Sequence, residues 1–280
     1  MAADGTRIAY RSVGTGRPLV CHPGGPGRSA DYLGDLGGLA ADRRLVLVDP
    51  RGTGGSQTPV DPGTYRCSRL AEDLEALRLH LGLERFDLLG HSAGANVALA
   101  YAAAYPSRLD HLVLLTPSRR LTGAPDDLLT VAARYMTGEP WYPDAVRAAA
   151  ALDAGDTAPG LEERMEPLLY GRWDPTLAAH AARGAATVNP AARDGFHDPG
   201  LDPDALRRAL AALPARSAVI AGERDGVTGP VAPGVLASWL PGAQLIWLPG
   251  GGHFPWLVDP AGTREAIDAA LRTVAPVDPL

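Results

Sequence analysis

The chain has 280 residues, 46% of them hydrophobic and 21% charged, with a formal net charge of −6 and 26 basic residues that are all arginine. This is the balance of a globular protein with apolar material for a substantial core, and the acidic charge without a long basic run excludes nucleic acid as an expected partner. Two cysteines, Cys21 and Cys67, are too few for a disulfide framework, and no apolar run reaches the roughly 18 residues of a membrane span.

The N-terminal "MAADGTRIAY" carries neither the basic nor the apolar region of a secretory signal, so a cytoplasmic protein is expected. Short apolar runs then alternate with helical patterns. "PLVCH" (18–22) and "RLVLVD" (44–49) read as buried strands. "SRLAEDLEALRLHLG" reads as a helix capped by Ser68, with leucines at 70, 74, 77 and 81 on one face. "FDLLG" (86–90) is a strand, "NVALAYAAAYP" a helix and "LDHLVLL" (109–115) another strand. From about Pro117 to Asp202 the strands stop. Helical patterns such as "DDLLTVAARYM" and "LEERMEPLLYGRW" take over. Strands return at "ARSAVIAG" (215–222) and "AQLIWLP" (243–249), "TREAIDAALRTVA" closes the chain as a helix, and "VAPVDPL" reads as a loosely held tail. The pattern predicts an α/β fold: a mostly parallel sheet flanked by helices, formed by 1–117 and 203–280, with 118–202 inserted as a helical cap.

Gly90-His91-Ser92-Ala93-Gly94 is a G-x-S-x-G pattern at a strand-to-helix junction. A serine there sits on a strained turn with no space for side chains beside it, which suits a nucleophile. A serine hydroxyl needs a base, and the base an orienting acid. Asp225 follows the strand ending near Ala221, with Gly226 suited to a tight turn after it and Glu223 as the rival acid. His253 follows the final strand in a glycine-rich loop. The order Ser92, Asp225, His253 at three strand ends is that of an α/β-hydrolase. An oxyanion would be held by the amides of Ala93 and of Gly25 in "CHPGGPGRS". "DPRGTGGS" (49–56) would buttress that loop, with Arg51 paired to an acid such as Asp49, and His91 is expected to be structural. The histidines show no metal-ligand spacing.

Taken together, "GGPG" (24–27), "DPRGTGGS", "GHSAG", "GERD" and "GGH" resemble the proline-iminopeptidase-like group of α/β-hydrolases. The resemblance implies a Ser-His-Asp enzyme with a helical cap, no cofactor and no metal, cleaving N-terminal proline or other small residues, or hydrolysing amides and esters. Two departures weigh against strict proline specificity. Pro23 stands directly before the paired glycines where the group has His, and Ala93 follows the nucleophile where it has Trp. In such peptidases cap glutamates bind the substrate amine. Glu139, Glu162, Glu163 and Glu166 are candidates, and Glu166 is favoured beside possible pocket aromatics Trp141, Tyr170 and Trp173. The expected substrate is a small amide or ester, a small molecule or short peptide, with a preference for a free amine. An esterase or lactonase, a non-hydrolytic enzyme using the triad as a proton shuttle, and a receptor without turnover stay open.

Overall fold

The computed structural model describes residues 1–272; the tail from Val274 and the end of the last expected helix lie outside the described residues. One sheet contains β1 (Tyr10–Val13), β2 (Pro18–His22), β3 (Arg44–Val48), β4 (Phe86–His91), β5 (Leu109–Leu115), β6 (Arg216–Gly222) and β7 (Gln244–Leu248). Their spatial order is β1-β3-β2-β4-β5-β6-β7, with β1 antiparallel to β3 and every other pair parallel. Six strands fall where the apolar runs place them. The seventh, β1, has the sequence YRSV and is only partly buried at the sheet edge, so no apolar run announces it.

Successive residues of the parallel strands point to opposite faces and feed two cores. Val20, Leu88 and Val219 pack with Leu70, Leu74 and Leu77 of α1 (Cys67–His80) and with Val97 and Leu99 of α2 (Ala93–Ala104). Cys21, Leu89 and Ile220 pack on the other side. Each buried leucine contributes roughly 2 kcal/mol, so this period-two split fixes the register. Ser68 does not cap α1: it lies inside the helix, Arg66 holds the cap position without a side-chain bond, and the Ser68 amide is bound by Asp198 Oδ2 at 2.9 Å.

Between β5 and β6 come α3 (Leu128–Tyr135), α4 (Tyr142–Asp153), α5 (Leu161–Met165), α6 (Pro167–Tyr170), α7 (Pro175–Ala186), α8 (Pro190–Asp194) and α9 (Pro203–Leu210). Asp174, Asn189 and Asp202 cap α7, α8 and α9 with their side chains, each followed by a proline. The cap satisfies free amides and the proline forfeits none. Pro167 divides "LEERMEPLLYGRW" into α5 and α6, because it opens a helix well and continues one badly. Val131, Ala132, Met136, Ala145, Ala149 and Leu168 give this segment a small core of its own. The chain finishes through α10 (Ala232–Trp239), α11 (Pro255–Val258) and α12 (Pro260–Ala270). Because β3 and β4 flank β2, the strand order reverses there. The loops after β2 and β4 therefore border the crevice in which such sheets bind ligands.

Candidate active site

Ser92 links β4 to α2 with φ +53° and ψ −121°. A non-glycine residue at such angles carries strain of order 1–3 kcal/mol and persists only when its surroundings enforce it. They do so here: Ser92 N donates to Leu115 O at 3.1 Å, and Ser92 O accepts from Ser118 N at 3.0 Å. A Cβ on Gly94 would overlap the carbonyl oxygens of His22 and Pro23, and one on Gly90 would overlap the turn at Gly94. Both flanking positions are closed to side chains.

The serine hydroxyl lies 2.9 Å from His253 Nε2, and His253 Nδ1 lies 2.9 Å from Asp225 Oδ2. Asp225 also accepts from the amides of Val227 and Thr228 at 2.9 and 3.1 Å and from Thr228 Oγ1 at 2.7 Å. These donors fix the carboxylate, which in turn holds a proton on Nδ1 and leaves Nε2 to accept from serine. All three residues are buried. Glu223 is exposed and receives the Gly250 amide at 3.1 Å, so it does not meet the imidazole. Gly226 serves a close approach rather than an unusual turn angle: a Cβ there would stand 2.6 Å from Leu128 Cα.

The backbone of His253 is held from three sides. Its amide donates to Leu169 O at 2.8 Å, and its carbonyl accepts from Thr116 Oγ1 and His91 Nε2, each at 3.0 Å. A Cβ on Gly252 would collide with Tyr170 O, so α6 and the histidine loop touch backbone to backbone. His91 is structural, as expected. Its Nδ1 is 2.6 Å from Tyr32 Oη, which itself accepts the Gly24 amide at 2.6 Å. With Nε2 facing a carbonyl, the Nε2 proton must donate, so Nδ1 accepts from tyrosine. Burial holds His91 well below its ordinary pKa, which keeps the ring neutral. Gly24, Tyr32, His91 and His253 thus form one chain of bonds from the glycine-rich loop to the backbone of His253.

Because Tyr32 occupies the Gly24 amide, Gly25 is the next donor of that loop. Gly25 and Ala93, the first residue of α2, both line a cavity of about 220 Å³ floored by Ser92. His22 is buried beneath the loop with Nδ1 2.9 Å from Pro23 O, and burial lowers its pKa to about 4.

Several expected contacts are arranged differently. Arg51 pairs with Asp73 at 2.6 and 2.8 Å and with Asp4 at 2.7 Å, not with Asp49. Asp49 instead accepts the amides of Ala30 and Gly55, both at 2.9 Å, and so ties "DPRGTGGS" to the end of the glycine-rich loop. Tyr170 is fully buried, with its hydroxyl 2.7 Å from His180 Nδ1 and its ring stacked 4.7 Å from Phe254. It carries the histidine loop and is no pocket wall. Trp173 packs edge-on against it at 5.2 Å, and Trp141 packs against the small core between α3, α4 and α6. Glu166 is half-buried. Burial raises its pKa, while the charges of Arg28 and His253 draw it down less strongly. None of these four residues lines the cavity over Ser92, whose further walls include Arg119, Arg120, Asp126, Leu128 and Phe196. The sequence carried a readable sign for Thr228, three residues after Asp225 in a turn. Tyr32 and Thr116 carried none, since their partners are remote in the chain.

The alpha/beta hydrolase fold family model matches residues 17–260. This chain belongs to the α/β-hydrolase fold family. Among its relatives, a proline iminopeptidase of Heyndrickxia coagulans is 35% identical over 116 residues, 40% of each chain. An N-formylmaleamate deformylase of Pseudomonas putida is 33% identical over 159 residues, 56% of this chain and 55% of that one. The chain thus spans about half or less of the length of these curated relatives. Among solved structures, an esterase from Rhodococcus sp. ECU1013 superposes on this α/β-hydrolase with a TM-score of 0.71 at 25% identity, covering 96% of this chain and 95% of that chain. No helix among the described residues is long and apolar enough to cross a membrane. Nor do any three or more His, Cys, Asp or Glu side chains among those residues converge to hold a metal ion.

Proposed function

We propose that this α/β-hydrolase is a cytoplasmic serine hydrolase of small amides or esters, with Ser92, His253 and Asp225 as its triad. The observation that supports this most is the unbroken hydrogen-bond chain from Ser92 Oγ through His253 to Asp225, beginning at a serine of positive φ. Ser92 Oγ attacks the substrate carbonyl as His253 Nε2 takes its proton. The Gly25 and Ala93 amides receive the oxyanion, with the positive end of α2 behind Ala93. His253 then protonates the leaving group, and water resolves the acyl-enzyme by the same route. Asp225 keeps the imidazole in the required tautomer and stabilises it when charged. Residues 118–202 act as the cap, placing Arg119, Arg120, Leu128 and Phe196 over the serine and bracing the His253 loop through Leu169.

The names of the relatives, an iminopeptidase, a deformylase and an esterase, agree on carbonyl hydrolysis and differ on substrate. The test is covalent labelling. A fluorophosphonate should add once to the wild-type protein, on the peptide containing Ser92, and not to Ser92→Ala. Labelling elsewhere, or none, would overturn the assignment.

A further inference from the structure

The charges around the serine say which substrates enter, an inference that rests on the serine-hydrolase reading. Three charged residues are among those that line the cavity over Ser92: Arg119, Arg120 and Asp126. Arg119 is spent locally: it pairs with Asp126 and donates to Ala124 O at 3.3 Å. Arg120 is different. Its amide contacts Ser118 Oγ at 3.4 Å, and its guanidinium has no ion pair or hydrogen bond among the described residues. The turn that carries both arginines is tied to the nucleophile itself, since Ser118 N donates to Ser92 O at 3.0 Å. Arg120 is therefore an exposed cation without a partner among the described residues, two positions along the chain from a backbone amide bonded to the reacting serine.

Among the described residues, Asp126 is the one carboxylate that lines the cavity. Asp127, between the walls Asp126 and Leu128 in sequence, is not itself a wall: its carboxylate lies against Gly229, with Oδ2 buried and without a hydrogen-bond partner. Glu166, the residue expected to hold an ammonium, is absent from the walls; burial pushes it toward its neutral form, while Arg28 and His253 both lie close enough to draw it back less strongly. An ammonium-bearing substrate would meet the unpaired cation of Arg120, whereas a carboxylate would meet a planar donor able to take it in a two-point contact. The apolar walls Leu128, Phe196 and Val227 suit a short carbon chain between the carbonyl and that carboxylate. The volume, about 220 Å³, lies below the usual range for drug-sized ligands. The geometry points to a small substrate that carries a carboxylate on a short chain beside the scissile carbonyl, with Arg120 as its specificity-determining residue.

Three p-nitrophenyl esters of matched chain length test this: a succinate monoester, a neutral butyrate and an ester ending in an ammonium. Wild-type kcat/KM should rank the succinate first, about 10-fold above the butyrate, with the ammonium ester last. Arg120 is exposed, so the succinate-to-butyrate ratio should shrink as salt is raised from about 10 mM to about 0.5 M. Arg120→Gln should bring that ratio close to one, and Arg120→Lys should restore part of it. A ratio unchanged in Arg120→Gln, or a wild-type preference for the ammonium ester, would overturn the assignment. Failure of the hydrolase reading would look different. No ester would then be turned over and no phosphonate would add to Ser92, and this proposal would fall with it.

Discussion

At the scale of single residues, the proposed triad rests on who donates to whom. Asp225 is saturated by three donors besides His253, whereas Glu223 is exposed and engaged with Gly250. Asp225→Asn should therefore lower kcat by about 10³–10⁴ with little change in KM, because the wrong imidazole tautomer is favoured. Glu223→Gln should change kcat less than about threefold on the same scale, and steady-state kinetics on one ester would reveal a reversed ranking. Tyr32→Phe removes the acceptor of the buried Gly24 amide and the donor to His91 Nδ1. Leaving those groups unpaired should cost about 1–3 kcal/mol of stability and lower kcat about 10-fold while KM moves little. A variant that loses stability but keeps full kcat would make Tyr32 a packing residue only. Glu166 is predicted to act against the fold. Its folded-state pKa is raised by burial, so ionisation at neutral pH disfavours the folded state, and the penalty vanishes below about pH 4 where the group is protonated folded and unfolded alike. Glu166→Gln should raise Tm slightly at pH 7 and not at pH 4. A lower Tm at pH 7 would mean that the carboxylate has a stabilising partner.

The elements were legible where one physical rule governs them. Parallel strands buried on both faces show as apolar runs, and the strand-to-helix serine shows as paired glycines that no side chain could replace. What escaped depends on partners remote in sequence. β1 is a polar edge strand, Ser68 loses the cap position to Arg66 while Asp198 binds its amide, and Arg51 finds Asp73 and Asp4 rather than the adjacent Asp49. Arg51 and Asp73 are both almost fully buried. Arg51→Met strips the carboxylate of its partner and should destabilise the protein by about 3–5 kcal/mol, read from urea unfolding. The double variant Arg51→Met with Asp73→Leu should recover most of that loss. No loss in the single variant would show that the pair is solvated.

At the scale of the whole molecule, the change of direction at β2 opens a crevice beside the loops after β2 and β4, the loops after β6 and β7 bring Asp225 and His253 to the same serine, and sequence order alone indicated which loops those were. The segment between β5 and β6 was legible as helical but not as a binding surface. Trp141, Tyr170, Trp173 and Glu166, the residues its sequence favours, are absent from the cavity walls, while Arg119, Arg120 and Leu128, which no sequence pattern marks, line it. Its small volume predicts that an octanoate ester is turned over at least about 10-fold less efficiently than a butyrate ester. Ser92 as the nucleophile is tested most directly by turnover of the neutral butyrate ester by Ser92→Ala, with circular dichroism and Tm matching wild type. Loss of roughly 10⁴–10⁶ in kcat is predicted, since the covalent step is removed and only binding and oxyanion stabilisation remain. A folded Ser92→Ala protein that keeps near wild-type kcat would contradict it.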